Sequence, residues 1–186
     1  MTSGKQHSHR TIAVQAGNYL DPHTGAVIPP IHTSTTYARD ETYTPLYSST
    51  YSRYGNPTYD QLENVLAKLD NGVDAMVFSS GMAAITTFME TLPNGSQIVA
   101  PRIMYHGAQD WLRHLETERN MEVTFFDARD PDALKSAVQL NKTSLVWIES
   151  PVNPTWDVID VMLAAELAHE AGAILAVDAT VATPVH

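Results

Sequence analysis

The chain has 186 residues, enough for one substantial domain or for part of a larger one. Its composition, 44% hydrophobic and 17% charged, is that of a folded globular protein and excludes a disordered chain. The net charge of -10 offers no basic patch for nucleic acid, and the lack of cysteine excludes a disulfide scaffold or a thiolate metal site within these residues.

The first ten residues are polar and carry no apolar core, so they do not read as a secretory signal. No apolar run approaches the roughly 20 residues that span a membrane. A soluble cytoplasmic protein is expected, with no membrane partner. Asn94 and Asn141 stand in glycosylation-type triplets, which without a signal read as chance.

Residues 1–57 show little periodicity and carry Pro22, Pro29, Pro30, Pro45 and Pro57. They are expected to form an extended arm with short helical pieces, lying on its own body or on a neighbouring subunit. The remainder, 58–186, reads as one regular α/β region.

Leu62, Val65, Leu66 and Leu69 fall at helical spacing, with Thr58 as the expected cap and Asn71-Gly72 as the stop. Ala75–Phe78 is expected as a short strand and Gly81–Leu92 as a helix ended by Pro93. Ser96–Ala100 follows as a strand, then His106–Arg119 as a helix and Glu122–Phe126 as a strand. Pro131–Leu140 is expected as a helix capped by Asp130, Ser144–Ile148 as a strand, Val158–Ala171 as a helix and Ala173–Val177 as a strand. Unbroken apolar strands alternating with helices predict a buried parallel sheet with helices on both faces. In such sheets ligands sit at the carboxyl ends of the strands.

The residues after each strand therefore carry the argument. Ser79-Ser80-Gly81-Met82 opens a helix, whose free N–H groups suit a phosphate. From the residues alone, a glycine after a strand is more often an ordinary turn. Tyr105, after the next strand, is either a ring that stacks on a planar ligand or a half-buried aromatic. Asn153, between Pro151 and Pro154, either binds a ring hydroxyl or sits in a proline-rich turn. Asp178 ends a buried strand, where a carboxylate is costly unless paired. A protonated pyridine nitrogen is one partner; a helix cap or a structural ion pair is the alternative.

The order phosphate loop, aromatic, amide and acid, together with Tyr51-Ser52-Arg53-Tyr54-Gly55-Asn56-Pro57-Thr58, resembles the transsulfuration (Cys/Met-metabolism) family of pyridoxal-phosphate (PLP) enzymes. This family includes cystathionine γ-synthases, cystathionine γ-lyases, methionine γ-lyases and O-acylhomoserine sulfhydrylases. Thr11–Gly17, Asp21–Val27 and Pro29–Thr36 are similar to the family's opening segment. The resemblance runs from about residue 11 to 185, nearly the whole chain. It implies the aspartate-aminotransferase-like fold (PLP fold type I), of which this chain would be the N-terminal part.

The resemblance also implies roles. Gly81 and Met82 would offer N–H groups to the cofactor phosphate. Tyr51 and Arg53 would reach the phosphate held by a neighbouring subunit, which implies a homodimer at least and a homotetramer as the usual form. Tyr105 would stack on the pyridine ring and assist proton transfer, Asn153 would touch the ring 3-hydroxyl, and Asp178 would pair with the ring nitrogen. Ser80 and Thr180 complete the expected cofactor-binding set, and Tyr105 and Asp178 are the expected catalytic residues. The implied activity is γ-replacement or γ-elimination on a γ-substituted L-amino acid of the homoserine-ester, cystathionine or methionine type.

Several positions depart from the family pattern. Ala179 and Val181 stand where an amide and an aromatic are usual. Gly107 stands where methionine γ-lyases carry cysteine, with His106 at a usual glycine, which argues against that member. Thr50 replaces an acid typical of cystathionine γ-lyases. Lys5, Lys68, Lys135 and Lys142 do not stand in the Ser-x-x-Lys setting of the family's Schiff-base lysine. The chain is therefore expected to be a fragment of a longer enzyme, with a non-catalytic relative or assembly subunit as the alternative. His7 and His9 are close in sequence, but His106, His114 and His169 lack ligand spacing, so no metal is expected.

Overall fold

The computed structural model describes residues 8–15, 17–130 and 132–184. The described residues divide into two units, one ending at Val77 and one beginning at Phe78. The first unit therefore includes the helix that the sequence groups with the regular α/β region.

That unit holds helix α1 (His9–Val14), capped by the Ser8 side chain, and helix α2 (Pro57–Leu69). The cap of α2 is Asn56, whose side chain accepts from Thr58 N at 2.9 Å, and not Thr58. Pro57 explains the earlier start: it lacks the N–H that a first-turn residue would leave unpaired, and its φ suits the N1 position. The freed Thr58 hydroxyl accepts from His32 N at 2.8 Å. The stop is as expected, with Asn71 left-handed at φ 51° and Gly72 N bonded to Ala67 O at 2.8 Å. Between the helices the described chain makes only isolated bridges, Thr36 to Tyr51 and Arg39 to Pro45. Val14, Leu20, Val27, Ile28, Ile31 and Leu46 remain exposed. His7 lies outside the described residues.

Ala75–Phe78 is not a strand. A strand exists only through a paired neighbour, and here Val77 N bonds instead to the Glu63 carboxylate at 2.8 Å.

The second unit runs α3 (Gly81–Glu90), β1 (Gln97–Pro101), α4 (His106–Arg119), β2 (Glu122–Phe126), α5 (Ala133–Ala137), β3 (Thr143–Glu149), α6 (Val161–Glu170) and β4 (Ile174–Asp178). Helices α4 and strand β2 begin and end where the pattern places them. Helix α5 is shorter than expected, and Asp132 rather than Asp130 occupies its cap position, without a side-chain cap bond. The Asp130 carboxylate instead accepts from Asp132 N at 3.0 Å; Pro131 lies outside the described residues. Helix α6 starts later than expected because Asp160 caps it, accepting from Met162 N and Leu163 N.

The four strands form one parallel sheet in the order β2-β1-β3-β4. Side chains alternate across each strand. Ile98 and Ala100 of β1 and Leu145 and Trp147 of β3 pack against α3 and α4 through Ile85, Met89, Ala108, Leu112 and Leu115. Val99, Val146 and Ile148 point the other way, to Leu134 of α5 and Ala164 and Ala168 of α6. Both faces are thus covered at the central strands, which is why β1 and β3 read as continuous apolar runs. Strand β4 is an edge and leaves Ile174 and Val177 exposed. No described helix is long and apolar enough to cross a membrane.

Candidate active site

The strand order locates the site. From β1 the chain leaves through α4 on one face towards β2, whereas from β3 it leaves through α6 on the opposite face towards β4. The adjacent strands β1 and β3 therefore send their connections apart and open a crevice at their carboxyl ends. A cavity of about 390 Å³ lies there, lined by Ser80, Gly81, Met82, Ile85, Tyr105, Glu149, Val152, Asn153, Trp156, Asp178, Thr180 and Val181. Seven of the residues singled out from sequence are among them. Tyr51 and Arg53 are not; they belong to the first unit.

At one wall α3 begins. The Ser80 side chain caps it by accepting from Ala83 N at 3.0 Å. The N–H groups of Gly81 and Met82 precede the helical ladder and stay available to a ligand. A Cβ built on Gly81 would meet no atom within 4 Å, so the glycine keeps open space at a helix end that favours an anion.

Tyr105 follows β1 and occupies the N-cap position of α4. Its ring is half-buried, and Gly107 explains how it lies where it does. A Cβ at position 107 would come 2.8 Å from Tyr105 Cε1 and 3.1 Å from Met82 Sδ. Without a side chain there, the tyrosine ring and Met82 close over the start of α4.

Asp178 ends β4. Thr180 donates to its Oδ1 twice, from Oγ1 at 2.6 Å and from N at 3.1 Å. Oδ2 takes no bond from a described residue, so one oxygen is fixed and the other remains for a cationic donor.

Asn153 sits in the loop after β3. Both Ser150–Pro151 and Asn153–Pro154 are cis. The Ser150 hydroxyl bonds both the O and the N of Ile159, at 3.1 and 3.2 Å, and Val152 N bonds Asp157 O at 2.8 Å. These bonds close the loop on itself and leave the Asn153 amide side chain exposed.

Glu149 is the residue that sequence reading missed. It is the last residue of β3 and only 5% exposed. Its Oε2 accepts from Tyr105 N and its Oε1 from Asn153 N, each at 2.7 Å. Burial pushes its carboxyl above the ordinary range, the two N–H bonds oppose this, and the charge of Asp178 adds to it. The rule that singles out Asp178, an acid closing an apolar strand, applies equally to Glu149. Trp156 was missed as well. It is exposed, left-handed at φ 61°, and lines the same cavity.

In the first unit the Arg53 guanidinium lies 4.9 Å from the Tyr51 ring centroid and 6.0 Å from that of Tyr54. Stacking of this kind orients the cation, and no carboxylate of the described residues forms an ion pair with it. No group of three His, Asp or Glu side chains among the described residues could hold a metal; His114 stacks instead on Trp111, with centroids 4.8 Å apart.

Such a cavity fits a flat ring carrying a phosphate. Its volume lies within the roughly 300–1,000 Å³ common for small-molecule sites. It offers helix N–H groups at one wall, an aromatic at another, and a carboxylate oxygen ready for a ring N–H.

Comparison with known proteins points the same way. Residues 10–186 match the family model for Cys/Met metabolism PLP-dependent enzymes. The cystathionine γ-lyase of Saccharomyces cerevisiae is 37% identical, over 99% of this chain and 47% of that protein. The cystathionine γ-synthase of Escherichia coli is 38% identical, over 94% of this chain and 45% of that protein. Among solved structures, the cystathionine γ-lyase CalE6 from Micromonospora echinospora superposes with a TM-score of 0.86 at 38% identity, over 96% of this chain and 47% of that one. The structure of metB from Corynebacterium glutamicum gives a TM-score of 0.88 at 32% identity, over 96% and 46%. The chain thus spans about half the length of the curated relatives it matches.

Proposed function

The chain belongs to the Cys/Met-metabolism family of PLP-dependent enzymes, whose cofactor is pyridoxal 5'-phosphate, and on that premise we propose that it forms the cofactor-binding half of an enzyme of sulfur amino-acid metabolism. The activity we assign is γ-replacement or γ-elimination on a γ-substituted L-amino acid. One observation carries this reading: the cavity at the β1–β3 crevice gathers Ser80, Gly81, Met82, Tyr105, Asn153, Asp178 and Thr180.

The bound cofactor would supply an electron sink for deprotonation at the substrate carbon. The residues of this chain would do the rest. Gly81 and Met82 would hold the phosphate through N–H groups at the start of α3. Asp178, fixed on Oδ1 by Thr180, would use Oδ2 to keep a ring nitrogen protonated. Asn153 would orient a ring hydroxyl. Tyr105 would cover one face of the ring, exclude water there, and pass a proton through its hydroxyl. Tyr51 and Arg53 would serve the phosphate in a neighbouring subunit, so the active form is a cytoplasmic homodimer at least, and a homotetramer in our reading. The split into an arm over 1–57 and a cofactor domain from 58 belongs to the same proposal.

None of Lys68, Lys135 and Lys142 lines the cavity. The amine that would hold the cofactor covalently therefore comes from outside the described residues. That observation keeps a second reading, a non-catalytic relative that binds without turning over.

Intact mass after borohydride reduction with PLP separates the two. One pyridoxyl adduct on the full protein supports the enzyme. Cofactor absorbance without an adduct supports the binding relative. Neither signal would overturn the cofactor site itself.

A further inference from the structure

Glu149 stands apart from the residues assigned above because nothing in the proposed chemistry uses it. It is nevertheless the most buried charged group of the site. Each of its two oxygens takes one backbone N–H, Oε2 from Tyr105 and Oε1 from Asn153, both at 2.7 Å. The two donors belong to different loops. Tyr105 follows β1 and Asn153 follows β3, the strands between which the crevice opens.

We propose that Glu149 is a positioning residue that staples the Tyr105 loop to the Asn153 loop across the crevice and thereby sets the width of the slot that receives the cofactor ring. This deepens the function proposed above and rests on it.

Three features support the assignment. The bonds are short, as expected when a carboxylate accepts from N–H. A carboxylate alone among side chains of this size can accept at both ends. A glutamine accepts through one oxygen and presents N–H donors from the other end, which would face a backbone N–H. Finally, the staple holds the backbone of Tyr105, while Gly107 leaves open the space that its ring and Met82 border. The Glu149 bond thus fixes the backbone from which the ring projects, and the bare position at Gly107 leaves the ring its room.

The test compares wild type, Glu149→Gln and Glu149→Asp in the full protein. Cofactor affinity is read by titration of the apoprotein with PLP. The geometry of the bound ring is read by visible circular dichroism. Loss of one charge-assisted bond predicts at least about tenfold weaker binding for Glu149→Gln. Its visible dichroic band should change in shape. In a Tyr105→Ala background the Glu149→Gln penalty should shrink, because the ring it positions is gone. Equal affinity and an unchanged band in Glu149→Gln would sink the staple. A penalty that persists undiminished without the Tyr105 ring would reduce Glu149 to a structural role.

Should the variants fail to fold, hydrogen exchange on the unaltered apoprotein decides. The amides of Tyr105 and Asn153 should both exchange slowly, and loop-like exchange at either one refutes the assignment. Failure of the wild type to bind PLP at all would instead overturn the cofactor site and the staple with it, so the two failures are distinguishable.

Discussion

Glu149 and Asp178 stand in register at the carboxyl ends of neighbouring parallel strands, so two carboxylates close the same side of one crevice. They are stabilised differently. Glu149 is buried and takes two backbone N–H groups, whereas Asp178 is partly exposed and takes the Thr180 hydroxyl and N–H on one oxygen. A site that keeps two acids this close can accommodate a cation between the loops more readily than a neutral group.

The pH dependence of stability follows from Glu149. Burial, with the charge of Asp178, raises its carboxyl above the ordinary glutamate value. Between the ordinary and the raised value the folded state binds more protons than the unfolded one. Stability therefore falls as pH rises through that window. Glu149→Gln removes the titration, so urea midpoints of the apoprotein should lose this component of the slope. An unchanged slope would place its origin elsewhere.

Asp21 has the opposite sign. Thr24 N, His23 N and the Thr24 hydroxyl all donate to its Oδ1, which holds its carboxyl down at about 2 against an ordinary value of 3.8. Its contribution is present above 3.8 and is lost as pH falls towards about 2. The stability difference between wild type and Asp21→Ala should shrink over that interval. A difference that stays constant into acid would show that the charge of Asp21 is not what matters.

Asp178→Ala should abolish turnover, because the other carboxylate lining the cavity, Glu149, already has both oxygens engaged by backbone N–H groups. Thr180→Val keeps the carboxylate but removes the 2.6 Å bond to Oδ1. A fall of roughly tenfold in kcat/KM is expected, the scale of one charge-assisted bond. Near wild-type kinetics in Asp178→Ala would refute the electron-sink role.

Gly107→Ala should displace the Tyr105 ring. The new methyl would stand 2.8 Å from Tyr105 Cε1 and 3.1 Å from Met82 Sδ, and both must move. Weaker PLP binding and a shifted cofactor absorbance are the expected results. An unaltered spectrum would mean that the ring does not contact the cofactor.

By itself, the sequence determined the alternation of helices and apolar strands and the chemistry waiting at each strand end. Both are local: periodicity follows from backbone geometry, and a polar residue closing an apolar run is visible without a neighbour. Only the tertiary structure decided which strand ends meet. The order β2-β1-β3-β4 puts the residues after β1, β3 and β4 round one cavity and leaves β2 outside it. It also decided that Ala75–Phe78 forms no strand with the described residues, that Asn56 rather than Thr58 caps α2, and that Glu149 joins two loops. Each of these depends on hydrogen-bond partners distant along the chain or on competition between adjacent donors, which residue type and spacing do not encode.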